Sequence, residues 1–128
     1  MEGIRILIVD DEVEAGEILG LRLKRRGFMP AYMPGGREAL EYLAKETPDV
    51  VILDVKMPGM DGLETLQRIR KDHPSLPVII LSGHADMQDA ARGMELGAFF
   101  YLLKPVNIEE LCHKIEDAHR QLTLTGNS

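Results

Sequence analysis

The amino-acid sequence predicts an open, doubly wound α/β sheet of five parallel strands. Five short apolar runs punctuate the chain, an amphipathic segment follows each, and three of the runs are nearly continuous rather than alternating. Continuous β-branched runs suit parallel strands covered by helices on both faces, and regular strand–helix alternation suits a succession of right-handed crossovers.

The first run, Ile4–Val9, leads to a helical stripe of Ala15, Ile18, Leu19 and Leu23 that ends at Arg25, Arg26 and Gly27. A basic last turn followed by glycine is a helix stop. A weaker run, Phe28–Met33, precedes a second stripe of Ala39, Leu40, Leu43 and Ala44. After Val50–Leu53, Asp61 and Glu64 have capping-box spacing and open a third helix carrying Leu63, Leu66 and Ile69. Val78–Leu81 leads to Met87, Ala90, Ala91 and Met94, a stripe expected in the core and closed by Gly97. Phe99–Leu103 leads to a last helix presenting Ile108, Leu111, Cys112 and Ile115. The domain is expected to occupy residues 1–122, with Thr123–Ser128 a polar tail or the start of a linker.

At 128 residues the chain is long enough to bury a core without staples. A formal charge of −6 argues against nucleic-acid binding, which needs a clustered basic face. Arg25 and Arg26, and the group Arg68, Arg70 and Lys71, fall at helix ends, where cations complement the helix dipole. The lone Cys112 excludes an internal disulfide, suits a reducing compartment and, on an apolar helix face, reads as core. Glu109 and His113 stand i, i+4 apart without a third ligand nearby and read as solvated surface. The first residues lack a signal-peptide apolar stretch and no segment reaches the length of a membrane span, so a cytoplasmic domain without membrane contact is expected.

Ligands of such sheets bind outside the carboxyl ends of the strands. Asp10, Asp11 and Glu12 follow the first run, Asp54 the third, Ser82 ends the fourth and Lys104-Pro105 the fifth. Carboxylates, a hydroxyl and an ammonium from four strands are therefore expected on one rim. Lys104 alone does not balance several carboxylates, whereas a hard divalent cation with oxygen ligands does, and Mg²⁺ is the expected one, with Mn²⁺ as a substitute. A carboxylate can serve as a phosphoryl nucleophile, and Ser82 can donate to a phosphoryl oxygen.

The segments Val9-Asp10-Asp11-Glu12, Leu53-Asp54 through Asp61-Gly62, Leu81-Ser82-Gly83-His84 and Gly97-Ala98 through Lys104-Pro105 resemble response-regulator receiver domains in order and spacing. The resemblance implies a flavodoxin-like (βα)₅ fold with strand order 2-1-3-4-5. It implies that Asp54 is the phosphoacceptor and that Asp11, Asp54 and the main-chain carbonyl of Lys56 bind Mg²⁺, with Asp10 acting through water. Ser82 and Tyr101 are implied as the switch pair, and Lys104-Pro105 as a cis-proline turn that orients the ammonium. Lys56 and His84 are implied to tune hydrolysis of the phosphoryl bond. The implied partners are a sensor histidine kinase or phosphotransfer protein, and a homodimer or output contact through the fourth helix, fifth strand and fifth helix. The domain is implied to be a signalling phosphoacceptor that assists its own phosphorylation rather than an enzyme, controlling an output domain or partner in transcription regulation.

Three rival readings fit less well, one of them a pseudo-receiver with a dead site, since every family position for phosphorylation is filled. A flavin carrier needs a hydroxyl- and glycine-rich phosphate loop where Asp10-Asp11-Glu12 stands, and an aspartate-nucleophile phosphatase needs a D-x-D pattern there. One position departs from the receiver pattern: Phe100 stands where an acid is usual. By strand alternation it shares a side with Leu102, opposite Tyr101, and is expected either as core beneath the last helix or as an exposed contact.

Overall fold

The structure, a computed structural model, describes residues 3–55 and 62–126, apart from the side chains of His84 and residues 122–126. Strands β1 (Arg5–Val9), β2 (Met29–Met33), β3 (Val50–Asp54), β4 (Val78–Ser82) and β5 (Phe100–Leu103) alternate with helices α1 (Val13–Arg25), α2 (Gly36–Leu43), α3 (Gly62–Asp72), α4 (Met87–Glu95) and α5 (Ile108–Gly126). A short 3₁₀ turn, His84–Asp86, precedes α4. The strands form one parallel sheet in the order β2-β1-β3-β4-β5, as expected. Ile6 pairs with Val50, Ile52 with Ile79, and Ile80 with Tyr101.

Every residue of β3 and β4 is buried, which explains why their sequences do not alternate. The core divides across the sheet. Ile6, Ile8, Ile52, Ile79 and Leu81 meet Leu111 and Ile115 of α5 on one face, while Leu7, Val9, Leu53 and Ile80 meet Leu43, Leu66 and Ile69 on the other. Gly27 and Gly97 take positive φ of 92° and 105° just past α1 and α4, the left-handed conformation that ends a helix. At the start of α5 the side chain of Asn107 accepts the N–H of Glu110 at 2.9 Å. At the end of α3, Arg70 donates to the carbonyls of His73 and Pro74.

Strand β2 is an edge, with Met29 N–H donating to the Ile4 carbonyl and Pro30 as its second residue. At the opposite edge Phe100 packs partly against the α5-side core and Tyr101 against the other, and the Lys114 ammonium lies 4.2 Å above the Phe100 ring. Phe100 is thus half-buried, between the two expectations.

Three expectations are corrected. In α1 the buried line runs through Gly16 and Leu23, with Leu19 half-buried, and leaves Ala15 exposed and Ile18 51% exposed. Tyr32 of β2 packs where a side chain at Gly16 would stand, so the sheet-facing line falls one residue from the predicted stripe. In α4, Met87 is exposed, because burial falls on Ala90 and Gly93. The last helix continues through Gly126, so the stretch read as a polar tail from Thr123 begins as helix, since no proline or glycine interrupts it earlier. Cys112 lies in the core, and Glu109 and His113 are exposed, as expected. Among the described residues no helix is long and apolar enough to cross a membrane.

Candidate functional site

The carboxyl ends of β1, β3, β4 and the turn after β5 meet at one rim. Asp54 ends β3, a fully buried strand, and is itself 4% exposed. The Lys104 ammonium reaches it from beyond β5 and donates to Oδ2 at 2.7 Å. Its N–H donates to the Ser82 carbonyl at 2.8 Å, and the Lys104–Pro105 peptide is cis, as the resemblance implied. Burial alone would lower the lysine pKa, but the hydrogen bond and charge of Asp54, with Asp10 and Glu12 beyond, outweigh it and hold the ammonium above its usual range.

Asp10 is buried beside Asp54, and its Oδ1 accepts the N–H of Glu12 at 2.9 Å. Burial raises its pKa from 3.8 to about 6; the Glu12 hydrogen bond opposes this, Asp54 adds to it, Lys104 lowers it and Glu12 raises it. Carboxylate oxygens of Asp10, Glu12 and Asp54 lie within 4.8 Å of one another. Asp11, expected as a direct ligand, is exposed and outside that set. Glu12 is exposed as well, but one of its carboxylate oxygens falls within the set. Glu12 was legible in sequence as the third acid of the run.

Gly62 marks the chain's return beside Asp54. A Cβ at that position would lie 2.4 Å from Val55 Cα and 2.5 Å from the Asp54 carbonyl, so only glycine passes this close. The Lys56 carbonyl and the Asp61 cap lie outside the described residues, and the His84 side chain is not described.

Ser82 is fully buried at the end of β4, and its hydroxyl faces the carbonyls of Gly83 at 3.0 Å and Asp86 at 3.1 Å. Tyr101 is half-buried on β5, its ring centroid 5.7 Å from that of Phe100. Tyr32 of β2 donates to the main-chain carbonyl of Asp10, a support the sequence did not reveal because β2 is its weakest apolar run.

Comparison with known proteins gives one answer. A family model for the response regulator receiver domain matches residues 6–116. The DNA-binding transcriptional regulator NtrC of Escherichia coli (strain K12) is 42% identical over 113 residues, covering 88% of this chain and 24% of NtrC. The chain thus spans about a quarter of that curated relative. Among solved structures, a response regulator receiver domain protein from Clostridium thermocellum superposes with a TM-score of 0.91 at 35% identity, covering 95% of this chain and 98% of that one. NtrX from Brucella abortus superposes with a TM-score of 0.92 at 31% identity, covering 98% of this chain and 29% of its own. A family match across nearly the whole sheet, with the acids, hydroxyl and ammonium on its rim, makes this chain a member of the response regulator receiver family, a signalling domain.

Proposed function

We propose that this domain accepts a phosphoryl group on Asp54 from the phosphohistidine of a sensor kinase or phosphotransfer protein. The observation that carries the reading is the buried Asp54 carboxylate paired at 2.7 Å with Lys104 and crowded by Asp10. A carboxylate oxygen of Asp54 attacks phosphorus as the bond to the donor imidazole breaks, and Lys104 meets charge growing on the phosphoryl oxygens.

The donor set fits a divalent cation such as Mg²⁺ or Mn²⁺, because carboxylate oxygens of Asp10, Glu12 and Asp54 converge within 4.8 Å of one another. When bound, the cation supplies positive charge and coordination positions for phosphoryl oxygens. By the family pattern Asp11, Asp54 and the Lys56 carbonyl would hold it, with Asp10 acting through water. The convergence of Asp10, Glu12 and Asp54 favours a second set, with Glu12 in place of Asp11.

Ser82, bonded to its own loop in this state, would turn toward the phosphoryl group, and Tyr101 would follow. Lys56 and His84 would tune the lifetime of the phosphoryl bond. The altered α4, β5 and α5 surface would then bind an output domain or a second copy and so control transcription in the cytoplasm. The donor protein would dock beside the rim, where a groove of about 360 Å³ lined by Ala15, Ile18, Leu19, Pro105 and Val106 opens next to Asp10 and Lys104.

Incubation with acetyl phosphate and Mg²⁺ followed by intact mass tests the reading. One added phosphoryl group, mapped to Asp54 and lost in Asp54→Asn, is expected. Uptake that persists in Asp54→Asn, or none in the parent, overturns it.

A further inference from the structure

Tyr32 holds the acid loop from the side away from Lys104. Its hydroxyl donates to the Asp10 carbonyl, and the Asp10 N–H donates to the Met33 carbonyl at 3.3 Å. The last two residues of β2 therefore grip both polar atoms of the Asp10 main chain. That carbonyl belongs to the planar peptide joining Asp10 to Asp11, so its direction sets the course of the chain into Asp11 and Glu12.

Helix α1 makes room for the ring. A Cβ at Gly16 would lie 2.2 Å from Cε1 and 2.7 Å from Cδ1 of Tyr32, so the tyrosine occupies the volume a side chain at position 16 would fill. The phenol is a donor at neutral pH, since an ordinary tyrosine ionises only at about pH 10. Neither contact belongs to the phosphoryl chemistry described above. Together they hold the Asp10 main chain, from which the acid loop after β1 begins.

We propose that Tyr32, seated on Gly16, is a positioning residue that holds the Asp10-Asp11-Glu12 loop in the geometry that binds the divalent cation. The inference rests on the cation reading above and deepens it. Groups that support metal ligands from behind fix ligand direction, and their removal weakens metal binding about tenfold or more.

Calorimetric titration of Mg²⁺ into the whole chain tests this, alongside melting in EDTA. Tyr32→Phe keeps the ring and removes the donor, and about tenfold weaker Mg²⁺ binding with an unchanged EDTA melt is expected. Gly16→Ala reads the same contact without altering the tyrosine, and should also weaken Mg²⁺. In a Tyr32→Ala background, Gly16→Ala should cost nothing further, since its Cβ has no ring to strike. Parent-like affinity in Tyr32→Phe overturns the inference and leaves the cation site standing. So does full additivity of Gly16→Ala with Tyr32→Ala. No Mg²⁺ binding by the parent overturns both the inference and the cation reading.

Discussion

The Lys104 ammonium sits 2.7 Å from Asp54 Oδ2, although the two residues are 50 positions apart and β4 lies between their strands. A compact ammonium fits this contact; a planar guanidinium with a fixed fork does not. Lys104→Arg should therefore slow phosphoryl uptake from acetyl phosphate by about tenfold or more, equal to ~1.4 kcal/mol of barrier. Intact mass against time measures it. A rate within about twofold of the parent would mean that charge alone suffices.

Mg²⁺ should raise the melting temperature of the parent. Binding to the native state adds about 2.7 kcal/mol at a hundredfold excess over Kd, which for a domain of this size is on the order of 10 °C. If the family pattern holds the cation, the rise vanishes in Asp11→Ala and survives in Glu12→Ala. The converging oxygens of Asp10, Glu12 and Asp54 predict the reverse. Full rises in both variants would remove the cation from this rim.

Without a cation, Asp10 should destabilise the fold near neutral pH. Its pKa is raised to about 6 from 3.8, so between those values the folded protein keeps a proton that the unfolded chain has released. The protonated acid's contribution is fully present below about pH 4 and is lost as pH rises through about 6. Asp10→Asn, which still accepts from Glu12, should stabilise the metal-free protein by on the order of 1–2 kcal/mol at about pH 7.5 and little at about pH 4. Urea titrations at the two pH values check it, and equal gains at both would contradict the linkage.

Phe100 offers a separate test of the α5 packing. Its half-buried ring lies under Lys114 against the core, so Phe100→Ala should cost about 1.5–3 kcal/mol. Phe100→Asp should cost no more than alanine, because the new carboxylate meets the same ammonium. A larger loss in the aspartate variant by denaturant titration would show that the Phe100 site is too dry for a charge.

The three central strands were legible because burial on both sheet faces writes itself as continuous apolar sequence, as in Val50–Leu53 and Val78–Leu81. The rim was legible because polar residues end those runs: Asp10, Asp54, Ser82 and Lys104. What escaped depended on contacts between distant segments. The rotation of α1 follows from Tyr32 lying against Gly16, and no periodicity within α1 reveals it. Likewise the main-chain N–H of Glu12 donating to Asp10 Oδ1 depends on the local path of the loop, which three successive acids do not reveal.

Pro30 shapes how sheets of neighbouring molecules can meet. Residues of a parallel strand turn their N–H groups alternately toward and away from the neighbour, and Met29 N–H points to β1. Position 30 therefore faces outward, where proline has no donor to offer. A strand arriving at this open edge finds its hydrogen-bond ladder interrupted near the start, which protects the domain against runaway edge-to-edge aggregation and turns any sheet-extending assembly toward β5.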